Sequence, residues 1–318
     1  MTAHIACNPD TVCWGYFDGS AADIAEVQCG QRVRIDTVSG GQSRLPLDRH
    51  RFQVLPEHLE ILDRHSPTLG PHILTGPVRI AGARPGQLLR VRIDSIELRQ
   101  NWGWNEIVAG GGALPEWESV AETLTLPIDL GTRTVSLPWH VESTCAPFFG
   151  ILAVKPRAAD GVLTSLVPSY FGGNMDIRQL QPGAEVYFPI HCVGAGFFVG
   201  DGHALQGDGE IAGTAVETAL TGVFTFGLQE NRSATPLPFA LLPDRLLTLG
   251  FDTDLDRAAD IAMHQAIQIL TADWHLDARQ AYRHCSLLGH LSIAQLVNVN
   301  RTVCFSISTA GLSKRQKG

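Results

Sequence analysis

Between Gly200 and Glu210 the chain reads Gly-Asp-Gly-His-Ala-Leu-Gln-Gly-Asp-Gly-Glu, setting three carboxylates (Asp201, Asp208, Glu210) and one imidazole (His203) among four glycines. Glycine adopts turns that other residues resist, so the stretch is expected to fold as a tight loop with several side chains aimed inward. Carboxylates and an imidazole meeting at one point suit a divalent cation or a hydrolytic proton relay. A lone Gly-Asp-Gly reads as a surface turn. Two copies, enclosing His203 and Gln206, favour a functional site instead.

Other residues join the candidate set. Glu217 follows in Gly213-Thr-Ala-Val-Glu217, Asn174 and Asp176 sit in Gly172-Gly-Asn-Met-Asp176, and His72 opens an expected strand at His72-Ile-Leu-Thr-Gly-Pro77. Their plain structural alternatives stay open: Asp176 as a turn cap, Glu217 as an arginine partner. Several familiar catalytic arrangements are missing. The chain has no Gly-x-Ser-x-Gly elbow, no His-Glu-x-x-His helix and no phosphate loop ending in Lys-Ser/Thr. A Cys-Glu-Lys amidase needs a buried lysine, and Lys155, beside Pro156, is a poor candidate.

The elements that must position these residues are mostly strands. Cys29-Gly30, Pro85-Gly86 and Pro182-Gly183 each precede an alternating apolar run, the pattern of a turn with positive φ at glycine leading into a strand. Further strands are expected at 77–81, 133–137, 150–154, 186–192, 223–228 and 246–251. Helical spacing appears late, from Leu255 to Leu270 and again over about 277–289, with Thr253 or Asp254 capping the first and Asp277 the second. A final strand is expected at 296–307. The reading is one domain over 1–318, mainly β: a β-sandwich with added α-helices near the C-terminus. Its β-rich part spans 27–251, its helical segment 252–290, and 309–318 forms a loose tail.

Composition agrees with that class and excludes others. The 318 residues include 32 glycines and 18 prolines, which suits short strands and tight turns. A net charge of −8 speaks against nucleic-acid binding, and three lysines, two of them in the tail, against a polybasic membrane patch. Seven scattered cysteines without a Cys-x-x-Cys pair suggest free thiols, and the N-terminus lacks a signal-peptide plan. The expectation is a soluble cytoplasmic protein with no membrane partner.

The blocks at 172–176, 200–210 and 214–217, with Leu74-Thr-Gly-Pro-Val78, the strand at 85–93 and Pro147-Phe-Phe-Gly150, resemble the signature blocks of the acetamidase/formamidase family, in family order from about residue 30 to 300. The resemblance implies a jelly-roll or CUB-like β-sandwich that hydrolyses a small aliphatic amide to carboxylate and ammonia. It also implies a bound divalent metal, zinc ahead of calcium, and a homodimer or higher homo-oligomer. On that footing His203, Asp201 and His72 are expected to hold the metal, with Glu217 as a fourth ligand or supporting carboxylate. Glu210, Asp208 and Glu217 form the catalytic carboxylate set, Glu210 or Asp208 moving the proton, while Asn174, Asp176 and Gln206 bind substrate. Trp102, Trp104, Phe148 and Phe149 are candidates for the pocket wall. Two departures stand out: Thr37-Val-Ser39 where many relatives carry aspartate, and Cys304 where many carry histidine. The alternatives are a metal-free amidase for a larger or N-substituted amide, and a non-catalytic binding protein.

Overall fold

The computed structural model describes residues 3–117 and 119–313. Two large sheets, of nine and eleven strands, pack their apolar faces together. The core between them is aromatic. Phe224 and Phe226 of the strand Leu220–Glu230 meet Phe149 and Phe197 of the opposing sheet, with ring centroids 5.2–5.7 Å apart. The expected β-sandwich is present.

The turn signals position the first sheet. Gly30, Gly86 and Gly183 all have positive φ, at 80°, 90° and 99°. The strands they introduce, Arg32–Asp36, Gln87–Leu98 and Glu185–Pro189, lie in the nine-stranded sheet. The two late helices form as the caps suggest. Leu255–Asp273 starts at Asp254, whose carboxylate accepts the Arg257 N–H, and Ala278–Leu288 starts with an Asp277/Gln280 capping box. Ala258, Ala262 and Ala266 pack this helical layer on Leu246, Val303 and Phe305 of the nine-stranded sheet. No helix among the described residues is long and apolar enough to cross a membrane. The seven cysteines are all unpaired.

Four expectations need correction. Strands begin at Ala3, not near 27, as short pieces whose alternation is too brief to read. Helix is not confined to the C-terminal part: Pro56–Arg64 is a nine-residue helix that starts on Leu55 without a side-chain cap, so it lacks the usual start signal apart from its proline. The expected strand at 296–307 is a hairpin of Gly289–Gln295 and Arg301–Ser308, and residues 296–300 form the connection. The expected tail lies partly outside the described residues; within them, Leu312 packs against the helical layer.

The helix Leu255–Asp273 touches its sheet where Gly250 leaves room. A Cβ on Gly250 would stand 1.8 Å from the Ala258 carbonyl oxygen. Gly250→Ala is therefore expected to lower stability by about 1–3 kcal/mol, the usual range for overpacking. Urea unfolding checks this, and an unchanged midpoint would contradict the packing described.

Candidate active site

The stretch Phe197–Leu205 is a strand, not a loop, and that overturns the expected turn at Gly200-Asp-Gly. Strand alternation explains its composition better. Asp201 and His203, two residues apart, project to one face. Gly200 and Gly202 project to the other, where a Cβ would come within 2.6 Å of the Ile73 and Thr218 carbonyl oxygens respectively. These glycines admit close backbone approach.

Neighbouring strands complete the site face. His203 pairs with Glu217 on one side and with Phe148 on the other, and Glu217 pairs in turn with Trp104. The partners Phe149↔Gly202 and Ile151↔Gly200 set Gly150 opposite Asp201, and Ile151 pairs with Asn174 beyond it. Gly150 leaves a hollow: a Cβ there would lie 2.5 Å from Asp176 Oδ1, 2.5 Å from Asp201 Oδ2 and 2.8 Å from His203 Cε1. Asp176, Asp201 and Glu210 take left-handed backbone conformations, with φ of 54°, 56° and 46°. Such conformations cost about 1–3 kcal/mol each and cluster at functional sites.

His203 is wholly buried at the centre. Its Nδ1 lies 2.8 Å from Gln206 Oε1, and the Gln206 amide donates to the Asp176 and Ala294 carbonyls. That network puts a proton on Nδ1 and directs Nε2 at the carboxylates. Nε2 is 3.3 Å from Asp201 Oδ2, 3.3 Å from Glu217 Oε2 and 4.0 Å from Asp176 Oδ1. Both His203 Nε2 and Asp176 Oδ1 are buried without a hydrogen-bond partner. Among the described residues no lysine or arginine pairs with Asp176, Asp201, Glu210 or Glu217.

The charges interact strongly. Burial raises Asp176 to about 8, helped by Asp201 and Glu217 and opposed by His203. Burial would also raise Asp201, but His72 and His203 outweigh it and hold that carboxyl at about 2. Burial and the neighbouring Asp176 push Glu210 well above the carboxylate range, and burial raises Glu217 despite His203. His203 resists burial, because Glu217 and Asp201 hold its pKa well above the ordinary value. His72 goes the other way, lowered by burial.

Two sets of donor atoms lie within 4.8 Å of one another: Asp201, His203 and Glu217, and Asp176, His203 and Glu210. The orphaned Nε2, the surrounding carboxylates and the hollow over Gly150 fit a divalent cation. His72 belongs to neither set; its Nε2 is 3.9 Å from Asp201 Oδ2 and its Nδ1 bonds Ser165 Oγ.

This cluster floors a cavity of about 850 Å³, lined by His72, Asn174, Asp201, Glu210 and Glu217. Asn174 Oδ1 is buried there and unpartnered. Ser39, at one of the departures, also lines the cavity, with Oγ 3.5 Å from Glu217 Oε2. Three candidates fall elsewhere. Asp208 is partly exposed, bound to Arg178 at 2.6 Å, and does not line this cavity. Gln206 is spent on orienting His203, and Asp176 lies beneath the floor. Of the four aromatic candidates only Trp104 reaches the cavity; Phe148 sets its edge against His203. Cys304 is buried in the main core. Lys155 is paired with Asp23 at 2.6 Å.

One site residue carried no signal in the sequence. Asn298, in the connection after Gln295, lines the cavity and donates from Nδ2 to Asp176 Oδ2. It sits inside the segment expected as continuous strand, where an asparagine has no reason to point at a site.

Fold and site together define a β-sandwich protein with a buried acid–histidine centre. Residues 23–160 and 154–236 match the Acetamidase/Formamidase family, more than half of the chain, and the chain belongs to that family. The formamidase of Methylophilus methylotrophus is 29% identical over 192 residues, 44% of this chain and 47% of that protein. The chain spans about half the length of the curated relatives it matches. The solved acetamidase of Bacillus halodurans is 26% identical and covers 96% of this chain and 97% of its own, with a TM-score of 0.81. That of Yersinia enterocolitica is 25% identical, covering 97% and 92%, with a TM-score of 0.83.

The site makes a binding prediction. If the hollow takes a divalent cation, Gly150→Ala should abolish its binding, titrated by calorimetry with zinc as the probe, because the methyl enters the hollow, whereas Asp208→Asn should retain it. Cation affinity of the unaltered protein should fall as pH falls, since protons compete for Nε2 of a histidine whose pKa is raised. Tight cation binding by Gly150→Ala would contradict the fit described.

Proposed function

We propose that this protein is an amidohydrolase that cleaves a linear primary amide to carboxylate and ammonia. The observation that carries the reading is the buried ring of four carboxylates around His203 Nε2, three of which, Asp201, Glu210 and Glu217, line a cavity. The membership of the acetamidase/formamidase family supports it. In the reaction a water oxygen bonds to the carbonyl carbon, the C–N bond breaks, and a proton moves to the departing nitrogen.

Each residue has a role in this reading. Asp201, His203 and Glu217 hold a divalent cation, with Gln206 fixing the His203 tautomer from behind. One imidazole among carboxylates suits zinc better than calcium, which takes oxygen ligands. When bound, such a cation lowers the pKa of a water to about 7 and polarises a carbonyl. Asn174 Oδ1, a buried acceptor without a partner, takes an N–H of the substrate amide. Glu210, which lines the cavity beside Asp176 and His203, acts from its ionised form, accepting the proton of the attacking water and returning it to the nitrogen. His72 faces Asp201 across 3.9 Å and is held in place by Ser165. Cytoplasmic location and assembly into a homodimer or larger oligomer belong to this reading, the latter supported by the exposed Trp117 and Trp139.

Incubation with a panel of primary amides, from formamide to phenylacetamide, tests the proposal. The expected result is equimolar ammonia and carboxylate, lost on dialysis against a chelator and restored by zinc. Silence across the whole panel would sink the amidase reading. Full activity after chelation, with no metal by elemental analysis, would sink the metal part alone.

A further inference from the structure

The cavity is far larger than the smallest amides need. Its 850 Å³ lies toward the top of the range, about 300–1,000 Å³, of sites that enclose drug-sized ligands. Acetamide brings only a methyl group as its acyl chain. Beyond the acidic floor, Trp14, Val38, Leu62, Ile73, Trp104 and Leu166 supply apolar wall, alongside short uncharged polar side chains such as Ser43, Ser66 and Thr68. These walls are anchored. Trp14 donates its indole N–H to the Pro71 carbonyl at 2.9 Å, and Trp104 is fixed by its pairing opposite Glu217.

Charge at the cavity wall is cancelled. The Arg44 guanidinium gives two hydrogen bonds to Glu106 Oε2, at 3.1 and 2.8 Å, and lies over the Trp104 ring. His65 is occupied by the Pro9 carbonyl through Nε2. A substrate carboxylate would meet the acidic floor, and a substrate cation would find Glu106 already paired. The wall therefore suits a neutral group. A buried donor adds detail: the Trp104 indole N–H meets no acceptor within the protein.

We infer that the preferred substrate is a primary amide with a bulky, uncharged acyl group, aryl or branched aliphatic, that packs on Trp104 and the walls around it. The inference rests on the amidase reading and names the substrate class for the same site. An acyl group of that kind buries apolar surface over Trp104, next to Glu217, and sets the amide on the floor where Asn174 and Glu210 act.

The test is a comparison of kcat/KM for ammonia release from formamide, acetamide, isobutyramide, benzamide and phenylacetamide by the unaltered protein. Each buried methylene is expected to raise kcat/KM about fourfold. Phenylacetamide should therefore exceed acetamide by well over tenfold. Leu166→Trp, which fills part of the wall from a partly exposed position, should lower the phenylacetamide-to-acetamide ratio. If formamide and acetamide outrank every larger amide, or if Leu166→Trp leaves the ratio unchanged, the inference is overturned while the amidase reading stands. If no amide releases ammonia, both fall.

Discussion

Four carboxylates cannot share a buried space around one imidazole unless something positive joins them. Asp176, Asp201, Glu210 and Glu217 are all nearly inaccessible, and no lysine or arginine pairs with them among the described residues. Unpaired buried charge is among the costliest features a protein can carry. Two species can relieve it: protons, which the raised pKa values of Asp176, Glu210 and His203 supply, or a cation at His203 Nε2. A site that exchanges one for the other is suited to moving protons.

The sandwich pays for this arrangement with glycine and strained backbone. Gly200 and Gly202 let the strand bearing Asp201 and His203 press against its neighbours, and Gly150 keeps the hollow empty. Three of the four carboxylates sit at positive φ, a conformation that only a well-packed surrounding structure sustains. Phe149 and Phe197 supply that surrounding from the core side of the same sheet, in contact with Phe224. The aromatic core backs the strained face.

Much of this was legible in the sequence, and the misses have physical causes. The Pro-Gly turns and the capped helices follow local rules, so residues such as Gly86 and Asp254 announce their elements. The acidic block contains Asp201, His203 and Glu210, which the structure brings together, but its first half is a strand whose glycines serve backbone contact. Asp208 looked equivalent to Asp201 because both stand between glycines. What separates them is tertiary, since Asp208 faces Arg178 outside the cavity. Asn298 and the helix Pro56–Arg64 lack local signals, one in an unforeseen connection and the other without a side-chain cap. The cavity, assembled from side chains as distant as Trp14 and Asn298, has no sequence signature.

The central claim is that His203 is the hub of a reacting centre. Replacing it tests that most directly: ammonia release by His203→Ala, measured beside a thermal unfolding curve to establish that the variant is folded. A folded variant with turnover reduced by about 10²-fold or more, the scale on which positioned acid–base groups contribute, is the predicted result. A folded variant with turnover near that of the unaltered protein would contradict the account.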